Sequence, residues 1–220
     1  MTSSIPADTP PEAPYECDRC PRLRGFLEEQ KEAHPDYFNG PVPSFGDPQA
    51  RLLVVGMAPG LHGANATGRP FTGDGAGEFL YRALAAHDFT RGTYDVRPDD
   101  GLELVDAMIT NVVRCVPPKN RPTGLEVTTC RPFHVSRMET LPRLRVLFCL
   151  GKLAHDATVR ALGGKLVDHR FGHASEYDLA GYRLVSSYHT SRYNVNTGVL
   201  TWEMFDGVFG RLRELVDTTR

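Results

Sequence analysis

Four short apolar runs, each ending in a glycine-rich or polar loop and followed by a helical stretch, limit the fold of this chain more than any other feature. Leu52-Leu53-Val54-Val55 stops at Gly56, Ala107 to Val113 forms the second run, Val146 to Leu150 the third with Gly151 directly behind it, and Leu184 to Ser187 the fourth. Unbroken apolar runs of this length suit strands covered on both faces. Between them the period changes. Phe79, Leu80, Ala83 and Leu84 fall at helical spacing within residues 75–87. Residues 21–33, 124–138, the stretch from Gly151 to Leu162, and 199–217 also read as helices, 35–50 as a Gly- and Pro-rich loop, and 165–182 as a small hairpin. Strand, loop and helix repeated four times describe an α/β fold, an open parallel sheet with helices on both faces. Such a sheet takes its ligand off the carboxyl ends of its strands. That rule selects the loops 56–74, 111–122 and 187–198, where the unusual residues of the chain concentrate.

The chain of 220 residues, 40% hydrophobic and 24% charged, is long enough for one domain with a proper core, taken as residues 17–220. Residues 1–16 are Pro-rich and acidic and read as a disordered lead-in. A formal net charge of -2 does not announce a polyanion partner for the chain as a whole, but phosphate binding needs only a local basic patch. No apolar stretch is long enough to span a bilayer, and the N-terminus lacks the basic-then-apolar order of a secretory signal. The expectation is a cytoplasmic monomer with no membrane partner.

Five cysteines in a reducing compartment are core residues, metal ligands or nucleophiles rather than a disulfide framework. Cys17 and Cys20 form C-x2-C at a helix start, and Cys115 and Cys130 form C-x14-C far along the chain. Two such pairs can converge on one tetrahedral zinc or one cubane cluster, or they can be scattered core thiols. Cys149 lies inside the third apolar run and reads as a small core hydrophobe.

The first loop opens Gly56-Met57-Ala58-Pro59-Gly60, where glycines let backbone approach a ligand, and continues through Arg69 to Phe71 and Asp74. It has neither the GxxxxGK[ST] nor the GxGxxG spacing, so a nucleotide cofactor is not supported. Phe71, set in a polar loop, offers a stacking platform for a base or an anchor to the core. In the second loop Asn111 ends a strand, and its carboxamide can pair with N3–H and O4 of uracil, where cytosine shows the opposite pattern. Arg114, Lys119 and Arg121 give that loop a basic character. The third loop carries His189, Ser191, Arg192 and Asn194, a composition suited to a nucleic-acid groove.

Taken together, CDRC, GMAPGLHGANATGRPFTGD, TNVVRCVPP, the later Cys130 and YHTSRYNVNTG resemble the uracil-DNA glycosylase superfamily, in particular its iron–sulfur members of the family 5 type. The likeness runs from about Cys17 to the final helix. It implies a three-layer α/β/α sandwich around a central, mainly four-stranded parallel sheet, and a [4Fe–4S] cluster on Cys17, Cys20, Cys115 and Cys130, with zinc the lesser alternative. It implies excision of uracil, and of other deaminated bases such as hypoxanthine, from DNA, by an enzyme associated with the nucleoid when acting. Gly56, Ala58, Pro59, Gly60, Phe71, Asn111 and His189 would bind the base. Arg69, Arg114, Lys119, Ser191, Arg192 and Asn194 would contact DNA. Asp74, His189 and Asn111 would carry the chemistry. Ala58 stands where many relatives place a water-positioning Asp or Asn, so Asp74 is nominated instead, and Thr190 stands where Pro usually follows the histidine. The inserted basic segment of the relatives that cross-link to DNA is not matched. A non-catalytic iron–sulfur protein that binds nucleic acid or senses redox state on the same fold is the competing reading.

Overall fold

The computed structural model describes residues 9–218. Its central sheet has six strands in the order β1-β5-β2-β6-β8-β7: β1 (Phe45–Gly46), β2 (Leu52–Gly56), β5 (Ala107–Asn111), β6 (Val146–Leu150), β7 (Ser175–Leu179) and β8 (Tyr182–Ser187). The four apolar runs form the parallel centre, β5-β2-β6-β8. The two edge strands are antiparallel additions. β7 enters through a tight hairpin whose turn residues, Ala180 (φ 51°) and Gly181 (φ 84°), are both left-handed, the backbone twist a two-residue hairpin needs. A separate two-stranded ribbon, β3 (Thr90–Arg91) with β4 (Glu103–Leu104), had no counterpart in the sequence reading.

Alternation along β2 sorts the core into two layers. Leu52 and Val54 face Ile109, Phe148 and the helices α3 (Gly75–Ala86) and α7 (Trp202–Thr218), where Leu80, Phe205 and Phe209 are fully buried. Leu53 and Val55 face Leu147, Cys149 and the layer of α1 (Pro21–Ala33), α4 (Gly124–Glu139) and α5 (Lys152–Ala161), through Leu23, Phe133 and Val159. The result is a three-layer α/β/α sandwich. Cys149 is a buried core residue with its thiol pushed up to about 12 by burial.

Residues 1–8 of the expected lead-in lie outside the described residues. Residues 9–16 do not behave as a free tail. Glu12 pairs with Arg137 and lies 3.5 Å from Arg114, the Thr9 carbonyl accepts from Ser136 Oγ at 2.6 Å, and Tyr15 donates to the Phe38 carbonyl at 2.9 Å. Among the described residues no helix is long and apolar enough to cross a membrane.

The chain leaves β2, crosses to β5 on one side, then passes to β6 and β8 on the other. Strand order therefore reverses around β2, and a crevice opens off its carboxyl end.

Candidate active site

A cavity of about 390 Å³ occupies that crevice, lined by Met57 to Gly60 beyond β2, Asn111 at the end of β5, Leu150 and Gly151 at the end of β6, and His189 beyond β8, with Phe71 and Asp74 closing it. Three of the four walls come from the loops the strand-end rule selected. The fourth, Gly151 to Leu153, follows the third apolar run and was missed, although the same rule applied to that run reaches it. Asn120 also lines the cavity, and only its place in the second loop pointed to it.

Glycines make the approach possible. A Cβ on Gly56 would collide with Asn111 Oδ1 and stand 2.7 Å from the Phe71 ring. Asn111 is 3% exposed, and no side-chain hydrogen bond holds its carboxamide among the described residues, so its donor and acceptor remain available to a ligand. Phe71 has a left-handed backbone (φ 53°), a strained state for a bulky residue. The strain is held from three sides: Tyr94 donates to its carbonyl at 3.2 Å, Tyr81 donates to the Pro70 carbonyl at 2.8 Å, and α3 passes so close at Gly77 that any Cβ there would overlap the Phe71 carbonyl. The ring then stacks on His189, centroids 5.9 Å apart and planes 30° from parallel.

His189 sits between Gly151, whose Cβ position is 3.3 Å from the His189 Cβ, and the α6 turn (Arg192–Asn196). Asn194 Nδ2 donates to the His189 carbonyl at 2.8 Å, and Ser191 caps α6. Thr190, buried, donates to the Ala76 carbonyl at 3.0 Å, which ties the histidine loop to α3. Burial lowers the His189 pKa below the usual imidazole value, and the Asp74 carboxylate only partly offsets this. The imidazole is therefore neutral at neutral pH and offers one N–H.

Asp74 is the N-cap of α3. Its Oδ1 accepts from the Ala76 and Gly77 N–H groups at 3.1 and 3.2 Å. Its Oδ2 faces the first loop, 2.5 Å from where a Gly63 Cβ would stand. One oxygen orients the carboxylate and the other is left toward the cavity. Ala58 lines the same cavity and supplies no polar group.

Two of the nominated DNA contacts are corrected. Arg69 is buried in a bidentate pair with Asp100 (2.8 and 2.7 Å) and lies over the rings of Phe45, Tyr81 and Tyr94. The guanidinium holds the Asp100 carboxyl well below its ordinary range. Arg114 is 1% exposed and spends its donors on Thr110, Ser44 and the Pro11 carbonyl. Both arginines brace loops from inside and cannot reach a phosphate. Asn194 likewise supports His189 from behind, whereas Lys119 and Arg192 are exposed.

Four residues past Asn111 the same segment reaches a second centre. Cys17, Cys20, Cys115 and Cys130 line one small cavity walled by Leu23, Val113 and Phe133. Burial raises the Cys115 thiol, and Cys130, Cys17 and Cys20 raise it further. The Cys20 thiol is pushed up to about 11, by burial first and then by Cys130. The Arg114 N–H donates to Cys130 Sγ at 3.4 Å, and Arg19 lies over the Phe133 ring at 4.7 Å. Four thiols converging from three segments fit a thiolate-bound centre, with cationic and N–H groups beside it to offset the charge. Among the described residues no three of them close on a single-ion geometry.

An open α/β sheet with a buried amide, a stacking ring and a neutral imidazole at its switch point defines a class of protein that takes a flat ligand with a polar edge. Comparison with known proteins narrows this. The model of the uracil DNA glycosylase superfamily matches residues 43–213. The type-5 uracil-DNA glycosylase of Thermus thermophilus is 44% identical over 195 residues, 86% of this chain and 89% of that protein. Its counterpart from Pyrobaculum aerophilum is 41% identical over 199 residues, 89% and 87% of the two chains. A type-4 uracil-DNA glycosylase of Pyrobaculum aerophilum is more distant, 32% over 148 residues, 67% and 61%. The chain belongs to the uracil-DNA glycosylase superfamily.

Proposed function

We propose that this protein excises uracil from DNA by hydrolysing the N-glycosidic bond of a flipped nucleotide. The observation that carries the reading is convergence: Phe71 and Asp74 from the first loop, Asn111 from the end of β5 and His189 from beyond β8 line one cavity of a volume that holds a single base. A base inside a duplex presents neither its edge nor its glycosidic bond, so it must leave the stack. Phe71 supports the base face. Asn111 pairs with N3–H and O4, and its buried position makes the wrong edge costly because an unpaired amide is left behind. Neutral His189 donates to O2 as negative charge develops there, in a site already shaped for it. The sugar becomes oxocarbenium-like and needs only a weakly activated water. Asp74, oriented by the α3 amides, faces that cation and the water with its free oxygen, a role Ala58 cannot take. The resemblance to the superfamily extends the reading to other deaminated bases such as hypoxanthine.

The four cysteines suit a [4Fe–4S] cluster better than zinc. A cubane takes each sulfur at a separate iron corner. Fully thiolate-ligated, it has no open position and supplies architecture rather than hydrolysis. A protein purified without air that is brown, with broad visible absorbance, supports the cluster; a colourless one containing zinc overturns it.

Incubation with an oligonucleotide carrying one uracil, followed by alkali, tests the reaction. Strand scission at the uracil is expected. An intact strand after prolonged incubation with the metal-replete protein overturns excision and leaves the binding-protein reading.

A further inference from the structure

A second groove, of about 580 Å³, runs between α4 and α5. Nothing in the excision chemistry uses it. Its residues recur at helical spacing on both sides: Gly124, Val127, Thr128 and Arg131 from α4; Lys152, Leu153, Asp156 and Arg160 from α5. The floor is apolar and the rims are cationic. Lys152 and Leu153 line this groove and the catalytic cavity alike, so the two are continuous. The loop between them adds to the charge: Asn120 lines the cavity, Pro122 lines the groove, and Lys119 and Arg121 beside them are exposed.

Few of these cations are neutralised. Lys152 pairs with Asp156 at 2.5 Å. Among the described residues Lys119, Arg121, Arg131 and Arg160 have no carboxylate within ion-pair distance, and Arg131 Nε is buried without a partner. On a chain of net charge -2, such a row of unpaired cations leading away from the base cavity is a local field for a polyanion.

We propose that this groove is a phosphate track holding the lesion-bearing DNA strand on one side of the flipped nucleotide. The proposal rests on the base-excision reading, which places DNA at the cavity mouth. Lys152 and Arg160 are eight residues apart, about 12 Å along the helix. One strand presents a phosphate roughly every 3.4 Å of axis. The track therefore reaches about three to four phosphates from the cavity, on a single flank. Its contacts read backbone charge and carry no sequence preference.

The test compares the wild type with Arg131→Gln/Arg160→Gln, and with Arg160→Gln alone as a variant of one exposed, unpartnered residue. Binding is measured against salt on a uracil-free oligonucleotide of about 20 nucleotides, so the outcome does not depend on excision. The double variant should bind roughly 10-fold or more weakly at 0.1 M salt, with its log–log salt slope reduced by about two and that of Arg160→Gln by about one. On uracil substrates trimmed to one nucleotide, the wild type should lose affinity when one flank is removed and not the other, and the double variant should be indifferent to both. Excision at saturating enzyme should match the wild type. Unchanged affinity and salt slope in the double variant, or equal sensitivity of the wild type to both flanks, overturns the track. Wild-type protein that binds as described but never releases uracil overturns the excision reading and leaves the groove standing.

Discussion

The catalytic cavity and the cysteine centre grow from the same stretch of chain, four residues apart, and are built in opposite ways. Asn111, His189 and Asp74 Oδ2 each present a polar group with no hydrogen-bond partner among the described residues, inside a cavity open enough for a base. Cys17, Cys20, Cys115 and Cys130 face one another across a closed apolar pocket, and burial raises the thiols of Cys20 and Cys115. Unsatisfied polar groups at the first site are a cost to folding that binding recovers. At the second, satisfaction comes from within. The difference assigns chemistry to one and architecture to the other.

The two are mechanically joined. Helix α1 starts directly after Cys20, and the segment beyond it is knitted to the first loop: Asn65 donates to Asn39 at 2.9 Å and Tyr37 bonds His62 at 3.1 Å, while Asn39 donates back to the His34 carbonyl at 2.8 Å. Loss of the centre should therefore loosen the glycine loop, whereas damage to the cavity should leave the centre intact.

The largest effect that would sharpen this contrast comes from Cys17→Ser/Cys20→Ser. Visible absorbance should vanish and the melting temperature should fall by about 10 °C or more, several kcal/mol for a chain of this size. A colourless variant that melts with the parent would break the architectural role. Asp74→Asn keeps an oxygen to cap α3 and removes the charge, so single-turnover excision should slow about 10²-fold with little change in melting. Asp74→Ala should add about 1 kcal/mol of instability from the lost cap. Asn111→Asp should lower uracil-over-cytosine discrimination by roughly 10-fold, the worth of one bidentate edge contact; unchanged selectivity in competition assays removes Asn111 from recognition.

The smallest effect is pH. Because burial lowers the His189 pKa, the donor is neutral at neutral pH, and the single-turnover rate should not rise as pH falls from 8 towards 6.5. A rate that climbs as pH falls through 6.5 would instead indicate an imidazolium donor. Stability follows the same sign at His155, whose ring nitrogens are both bonded, to Ser186 Oγ at 2.7 Å and the His169 carbonyl at 2.8 Å, and whose pKa burial lowers. The folded state binds fewer protons there than the unfolded chain. Its contribution is present above about 6.5 and is lost as pH falls below it, which urea midpoints should show.

Continuous apolar runs made the parallel strands legible, since a strand buried on both faces has no polar alternation to obscure it. The two-residue strands β1, β3 and β4 and the polar α6 left no such trace. Asn111, Phe71 and His189 were legible because the strand-end rule locates loops without coordinates. Arg69 and Arg114 misled because local composition does not show a partner: Asp100 lies 31 residues from Arg69, and the Pro11 carbonyl 103 from Arg114. Chain sites that depend on distant pairing are read correctly only once the fold brings both halves together.

The separation of chemistry from architecture is tested most directly by His189→Ala, followed in one preparation by single-turnover uracil release, visible absorbance and thermal melting. Excision should slow by about 10²–10³-fold, the loss expected for one preorganised donor, with the absorbance of the cysteine centre and the melting temperature unchanged. Wild-type turnover, or a rate loss accompanied by loss of the chromophore, would contradict it.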